Sequence, residues 1–313
     1  MLRVDLHQHL WTAPLIEALA ARRHLPLVRV ERDVPILHLA GERPYAIELA
    51  GEAPGRRAAL LDHDGVEQAV IALSSPLGIE ALEREEAEPL LAAYEAGVRD
   101  LREGFRWWGA VALNPPAAEE VDGVLERGAV GVSLPAGALA SVEGVACMAP
   151  VLARLEQREA PLLVHPGPSP WSPPPREARL GDPLWWPALT GYVAELQASW
   201  LAFVAVGRRA HPRLRVVFAA LAGGAPLLAE RLTSRGGPSL DADPLTFYES
   251  SSHGEAALIA LAGIVGAEQL LYGSDRPVAE PSVRPREGPL GRDALAERSA
   301  GLIESRVPLE AAR

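Results

Sequence analysis

The sequence predicts an α/β fold: a (β/α)8 TIM barrel with a long excursion after the first strand. Short apolar runs alternate with helical patterns along most of the 313 residues, which is typical of the α/β class. Most of these runs are continuously apolar, as expected for parallel strands that are covered on both faces. No Gly-x-Gly-x-x-Gly follows the first run, which disfavours a dinucleotide-binding sheet. We expect one domain over residues 1–313.

The predicted elements begin with a strand over Val4–His9 and a helix at 14–23. Residues 24–58 form the arginine-rich excursion, in which a small hairpin is expected around 34–39. Loops of this length are usually functional lids or disordered segments. Seven further strands are expected at 65–73, 105–113, 129–134, 161–164, 214–219, 246–250 and 270–272, with helices between them at 78–103, 117–127, 143–157, 188–209, 226–234 and 254–265. With the first strand, these make the eight repeats of a barrel.

Composition excludes several classes of function. The net charge of −11 argues against binding to nucleic acid, whose phosphates require a basic surface, and against attraction to anionic membranes. The chain has no lysine, so it can form neither a Schiff base nor a carboxylated lysine that bridges two metals. A single cysteine, Cys147, excludes a disulfide within the chain. No targeting segment or long uncharged apolar run is seen, so we expect a cytoplasmic protein.

Candidate metal ligands follow the ends of different predicted strands. His7 and His9 are two residues apart on the first strand, and alternate residues of a strand share a face. His165, His253 and Asp275 follow three other strands. The carboxyl ends of barrel strands meet at the catalytic face. Nitrogen and oxygen ligands from separate strands predict a catalytic site for a divalent metal ion.

Three motifs resemble those of a known family. They are Val4-Asp5-Leu6-His7-Gln8-His9, then Leu163-Val164-His165-Pro166-Gly167, then Leu271-Tyr272-Gly273-Ser274-Asp275-Arg276-Pro277. In this order and spacing they resemble the amidohydrolase superfamily, and most closely its amidohydrolase-2 branch, which includes aminocarboxymuconate-semialdehyde decarboxylase. The resemblance implies that His7, His9, His165 and Asp275 bind one divalent metal ion, with Zn²⁺ as the expected metal.

One departure from the family pattern affects the expected chemistry. The branch usually carries His-x-Gly-Gly after the sixth strand, and that histidine orients or deprotonates the metal-bound water. Here Ala220 or Leu221 takes its place, although Gly223-Gly224 and Pro226 remain. We hypothesise that His253, at the end of the seventh strand, activates water or protonates the leaving group instead. The alternative is that His253 is a loop residue beside the pocket.

Several residues are candidates for substrate binding. Trp11 follows the first metal motif, and Trp171, Trp185 and Trp186 flank the proline-rich loop after His165. These rings could wall an apolar substrate pocket; the last three could instead pack internally or form a homodimer contact, since family members often dimerise there. Arg276 could face a substrate carboxylate or pair with a nearby acid. An arginine of the excursion could also bind such a carboxylate.

The leading functional prediction is a mononuclear metal-dependent hydrolase that attacks a small ester, lactone or amide through a metal-activated water. Asp275 would accept the proton of that water, with help from His253. One alternative is a non-oxidative decarboxylase of an aromatic or unsaturated carboxylic acid that uses the same metal site. Another is a ligand-binding barrel that has lost catalysis. The partner in each case is a small molecule, in some cases a carboxylate.

Overall fold

The computed structural model describes residues 1–101, 103–176, 179, 181–239, 243–281 and 287–304. Its strands in chain order are β1 (Val4–Gln8), β2 (Leu27–Glu31), β3 (Val34–His38), β4 (Tyr45–Ala46), β5 (Gln68–Ile71), β6 (Phe105–Trp107), β7 (Val132–Pro135), β8 (Leu162–His165), β9 (Val216–Phe218), β10 (Thr246–Glu249) and β11 (Leu270–Leu271). Its α-helices are α1 (Ala13–Ala20), α2 (Pro54–Asp64), α3 (Arg84–Arg99), α4 (Ala118–Glu126), α5 (Val142–Cys147), α6 (Ala149–Gln157), α7 (Trp186–Ala202), α8 (Arg208–Ala210), α9 (Ala229–Ser234), α10 (Glu255–Val265) and α11 (Arg292–Glu304).

Eight of the strands form the predicted barrel. The parallel order is β1-β5-β6 in one segment and β7-β8-β9-β10-β11 in the other. A parallel bridge between Gly109 and Val132 joins β6 to β7, and another between Gln8 and Arg276 joins β11 to β1. At this second junction the Leu6 amide donates to the Tyr272 carbonyl at 3.0 Å. The strands therefore close on themselves, as the run of apolar segments predicts.

The excursion is more regular than the sequence indicates. Strands β2, β3 and β4 make an antiparallel sheet, and β3 is its central strand. The hairpin predicted around 34–39 is therefore part of a larger unit. The predicted bounds of the excursion, 24–58, are wrong at the end, since residues 54–58 begin α2. The buried face of α2 contains Arg57 and Asp64 as well as Leu61. The sequence of α2 therefore lacks the apolar stripe that would have indicated a helix.

Strand β1 contains a bulge between its apolar half and its histidines. Asp5 pairs with Ala69 but Gln8 pairs with Ile71, so β1 has one more residue than β5 between these two pairs. Before the bulge, Leu6 belongs to a buried apolar cluster of strand residues that includes Leu163 and Val217. After it, His7 and His9 meet His165 of β8, a strand that does not neighbour β1. The bulge thus aims both histidines across the barrel.

A long helix covers the barrel near β10. Helix α7 continues through a π-helical turn, Phe203–Gly207, into α8. By length and composition the continuous helix Trp186–Ala210 could cross a membrane. Here Leu196 and Trp200 are buried, and the Trp200 indole donates to the Tyr248 hydroxyl at 3.0 Å. We therefore interpret it as a barrel helix, and the cytoplasmic location stays a prediction.

Candidate metal centre

Three imidazoles converge at the carboxyl ends of β1 and β8. The ring centroids of His7, His9 and His165 lie 4.8–4.9 Å apart, and each pair of rings is nearly perpendicular, at 88–90°. Nε2 of His7 lies 3.1 Å from Nε2 of His9. The arrangement leaves the Nε2 atoms facing one small volume.

Asp275 completes the cluster from the end of β11. Its Oδ1 lies 3.2 Å from Nε2 of His9 and 3.6 Å from Nε2 of His7. One ligand atom from each of the four residues lies within 4.8 Å of the others. Asp275 adopts a positive φ of 63°, and its amide donates to the His7 carbonyl at 2.8 Å. Three nitrogens and one carboxylate oxygen at these separations fit a single divalent cation.

Each imidazole is oriented by a partner on its other nitrogen. Nδ1 of His9 lies 2.9 Å from the Ala72 carbonyl, and Nδ1 of His165 lies 2.8 Å from the Pro166 carbonyl. A carbonyl can only accept, so each Nδ1 carries a proton, and in the neutral form of each ring Nε2 is the atom that can bind a metal. Nδ1 of His7 contacts Oε1 of Glu249 at 3.2 Å. Such outer partners fix the tautomer and ring orientation that a metal site requires.

Glu249 is a site residue that sequence reasoning missed. It is fully buried and ends β10, and its carboxylate accepts from the Ala220 amide and from both the amide and hydroxyl of Ser251. Burial alone would raise the pKa of this carboxyl, but the His7 imidazole and the hydrogen-bond donors lower it to about 2. The only sequence signal was an acidic residue at the end of an apolar strand.

The ionisation of the histidines follows from their neighbours. For His7, burial opposes the charged form, yet Glu249 and then Asp275 raise its pKa to about 9. The pKa of His165 lies well below its ordinary value because of burial and the charges of His7 and His9. His165 is therefore a neutral imidazole. His7 carries a proton that a bound cation would displace.

The segment that lacks the family histidine has an unusual backbone. Ala220, Leu221 and Ala222 have φ values of 46°, 54° and 56°, and Gly223 and Gly224 continue the left-handed conformation. Left-handed helical residues with a Cβ are strained by about 1–2 kcal/mol each. Two side chains bond to the turn: Glu249 accepts from the Ala220 amide, and the Gln197 amide donates to the Gly223 carbonyl at 2.9 Å.

Two other predicted residues lie outside the ligand cluster. His253 is half-buried, and its Nδ1 lies 2.7 Å from the Ser251 carbonyl. Arg276 is buried and makes two contacts with Asp64, from Nε at 2.7 Å and from Nη2 at 3.1 Å, as well as one with Glu280 at 2.9 Å. The arrangement of Arg276 matches the alternative in which it pairs with an acid. Catalysis by His253 and substrate binding by Arg276 stay predictions.

The predicted tryptophans fall into two groups. Trp11 is buried and lines a small void beside His9. Trp171 is partly exposed and lies against Gly144. Trp185 and Trp186 are exposed, with ring centroids 5.7 Å apart, and Trp186 lines a separate cleft between α7 and the excursion. A pocket wall and a homodimer contact both stay predictions for these rings.

Comparisons with known proteins identify the fold. No protein-family model matches the sequence, and no curated protein matches it. A solved structure named amidohydrolase II is similar with a TM-score of 0.73 and 16% identity, over 97% of this chain and 100% of that chain. The 5-carboxyvanillate decarboxylase of Sphingomonas paucimobilis is similar with a TM-score of 0.72 and 19% identity, over 96% of this chain and 98% of that one.

A third structure adds information about metal. The 5-carboxyvanillate decarboxylase of Novosphingobium aromaticivorans, complexed with manganese and 4-hydroxy-3-methoxy-5-nitrobenzoic acid, is similar with a TM-score of 0.62 and 16% identity, over 98% of this chain and 91% of that one. At these identities the likeness defines architecture. The chain has the (β/α)8 barrel fold of these amidohydrolase-related proteins, and the resemblance predicted from its motifs is confirmed at the level of the fold.

Proposed function

We propose that this chain is a metal-dependent carboxy-lyase that removes CO₂, without oxidation, from an aromatic or unsaturated carboxylic acid. The observation that carries the proposal is the convergence of His7, His9, His165 and Asp275 on one small volume at the mouth of the barrel. Two of the structural neighbours are decarboxylases of an aromatic acid, which favours this reaction over the hydrolysis first predicted from the sequence.

The ligand set suits an anionic substrate. A divalent ion held by these four ligands would supply a Lewis acid and a net positive charge, because only Asp275 among them is anionic. The nitrogen-rich set agrees with the predicted Zn²⁺, whereas the Novosphingobium relative holds manganese. Both metals are therefore to be tested. The substrate we propose is a small carboxylate.

Asp275 has a second proposed role. Its side chain is 18% exposed, whereas those of His7 and His9 are 2–3% exposed, so the carboxylate lies on the more open side of the cluster. Its Oδ1 faces the histidines, which leaves Oδ2 as an acceptor beside the substrate volume. We propose that Asp275 is both a ligand and the group that holds the proton delivered to the carbon that loses CO₂.

Two other functions have an observation in their favour. The same Asp275 oxygen could accept a proton from water, as the hydrolysis of an ester, lactone or amide requires. A barrel that only binds a ligand is favoured by the turn at Ala220–Ala222, which offers no ionisable side chain where the family motif has histidine. Complete ligands argue for an enzyme over a binding protein, since buried polar groups are costly to keep without a partner.

The test is a metal-loaded panel assay with separate readouts. Aromatic and unsaturated acids labelled with ¹³C at the carboxyl group are assayed for released CO₂, and esters, lactones and amides for new acid, with Zn²⁺ and with Mn²⁺. Release of CO₂ that Asp275→Asn abolishes supports the proposal. New acid without CO₂ supports the hydrolase. Tight binding without turnover supports the binding protein. CO₂ release that persists unchanged in Asp275→Asn contradicts our assignment of the site.

His253 is tested in the same assay. If it donates or accepts a proton, His253→Ala lowers kcat by about 100-fold or more and removes one limb of the pH profile. An unchanged kcat removes the hypothesis. His63→Ala is the matched control, because His63 is exposed at the end of α2.

A further inference from the structure

We propose that Glu249 is a positioning residue that sets the metal affinity of the site through His7 and also holds the left-handed turn 220–224 in place. This role of Glu249 concerns the metal centre and not the reaction. It can therefore be tested independently of decarboxylation, although both proposals rest on the same four ligands.

The contacts of Glu249 join three parts of the barrel mouth. Its Oε1 receives His7 Nδ1 from β1 at 3.2 Å, the Ala220 amide after β9 at 2.6 Å and the Ser251 hydroxyl after β10 at 2.6 Å. Its Oε2 accepts from the Ser251 amide at 3.0 Å. A carboxylate is the side chain that accepts four bonds and donates none. A glutamine at this place would turn an N–H group towards at least one of these donors.

The absence of a side chain at Gly273 leaves room for this carboxylate. A Cβ on Gly273 would overlap Oε2 of Glu249, and it would also lie 3.0 Å from Cβ of His7. Glycine two residues before the ligand Asp275 therefore allows Glu249 to reach His7. Because β10 and β11 are paired through Glu249 and Leu271, the backbone of Glu249 is fixed relative to the strand that leads to Asp275.

The energetics argue for a role beyond packing. A buried carboxylate is costly unless it is fully paired, and an apolar side chain would fill the same volume at lower cost. Glu249 is retained alongside a turn of three strained non-glycine residues whose first amide it accepts. Without this acceptor the Ala220 amide loses its carboxylate partner, and the His7 ring loses the group that directs its Nε2 to the ligand volume.

The test compares metal affinity in matched buried-acid variants. Metal-free Glu249→Gln, Glu249→Asp and Glu80→Gln proteins are titrated with Zn²⁺ and Mn²⁺ in competition with a chelating indicator. We expect Glu249→Gln to weaken affinity by about 10–100-fold and Glu249→Asp to weaken it less. Glu80 is an equally buried acid outside the ligand cluster, so Glu80→Gln should stay within about twofold of wild type. Equal affinities for Glu249→Gln and wild type overturn the proposal.

A double-mutant cycle tests whether the effect passes through His7. In a His7→Ala background, Glu249→Gln should change the metal dissociation constant less than about twofold, because the group it positions is gone. The same 10–100-fold loss in that background overturns the positioning role. Hydrogen exchange of the metal-free proteins supplies the second readout: amides of 220–224 should exchange faster in Glu249→Gln than in Glu80→Gln. Unchanged exchange overturns the claim about the turn.

If Glu249→Gln does not fold, Ser251→Ala is the variant that tests the proposal. It removes one donor to Oε1 and leaves the charge in place. We expect a two- to fivefold weaker metal affinity with normal folding, as for loss of one neutral hydrogen bond. An affinity equal to that of wild type counts against the proposal.

Discussion

Oδ1 of Asp275 lies 3.2 Å from Nε2 of His9, although the two residues come from the last and the first strand of the barrel. Asp275→Asn keeps the size of the side chain but removes its charge. We expect metal affinity to fall by more than the roughly 100-fold that loss of an outer partner can cost, because a ligand itself is weakened. Metal content after dialysis measures this, with His63→Ala as the control. Full metal content in Asp275→Asn would contradict the assignment.

Removal of metal is expected to lower thermal stability. The four ligands come from three strands, so the unfolded chain does not form the site and a bound ion stabilises only the folded state. At a free metal concentration 100 times Kd, binding adds about 2.7 kcal/mol. Calorimetry with and without a chelator should show a Tm that rises with metal concentration. A Tm that is insensitive to Zn²⁺ and to Mn²⁺ would argue that neither ion binds this cluster.

Gly273→Ala is expected to damage the site where an equivalent change elsewhere does not. The new Cβ would overlap the Glu249 carboxylate, so we expect a loss of about 1–3 kcal/mol in the free energy of unfolding, together with weaker metal binding. Gly263→Ala is the control, since nothing lies within 4 Å of a Cβ there and the residue is exposed in α10. That variant should gain about 0.5–1 kcal/mol. Equal unfolding energies for the two variants would refute the packing argument.

The ion pair between Arg276 and Asp64 should be structural. Both side chains are 7% exposed and bonded at 2.7 Å, so removing Arg276 leaves Asp64 as a buried charge, and removing Asp64 leaves Arg276 with the exposed Glu280. We expect Arg276→Gln and Asp64→Asn each to lower the free energy of unfolding by about 3 kcal/mol or more, and KM to stay the same in both. Urea unfolding and steady-state kinetics measure these quantities. A higher KM in Arg276→Gln alone would instead support substrate binding by Arg276.

Glu80 should make stability depend on pH. Its carboxyl is fully buried, and burial raises its pKa from 4.5 to about 7, although the Ser75 hydroxyl opposes this by donating to it. Below pH 4.5 the Glu80 carboxyl is protonated in both the folded and the unfolded state, so its titration does not lower the free energy of unfolding. As pH rises from 4.5 to 7 the unfolded chain ionises first, and the folded state loses about 3 kcal/mol relative to it.

Glu80→Gln removes this dependence because glutamine does not titrate. We expect the variant and wild type to have similar free energies of unfolding at pH 4.5, and the variant to be more stable by up to about 3 kcal/mol at pH 8. Urea unfolding across this range gives the difference directly. Parallel pH profiles for the two proteins would show that Glu80 does not titrate as described.

The barrel was predictable from the sequence because its strands are continuous apolar runs that end in chemically distinctive residues. His165 and Asp275 stand at such ends, and the structure brings them to His7 and His9. Helix α2 was not predictable, since its inner face carries Arg57 and Asp64, charged residues that hide the usual periodicity. Helix α11 was also missed, and it follows β11 beyond the last recognisable motif.

The parts of the site that escaped prediction depend on contacts distant in the chain. The role of Glu249, an acid at the end of a strand, cannot be predicted from its position alone. It becomes clear only from its contacts with His7 and Ala220, which are distant in the chain. The left-handed turn contradicts the local preference of Ala220 and Leu221, so only tertiary contacts can maintain it. The bulge in β1 could not be predicted from the residues of β1, because it is defined by their pairing with β5.

Closure of the barrel between β1 and β11 has a consequence for biosynthesis. The amide of His9 donates to the Arg276 carbonyl at 2.6 Å, and that of Asp275 to the His7 carbonyl at 2.8 Å. During translation the histidines of β1 leave the ribosome long before Asp275 and Arg276, the residues that pair with them. A nascent chain therefore carries an unpaired strand edge until this distant segment emerges, and an ion can be held by all four ligands only after that.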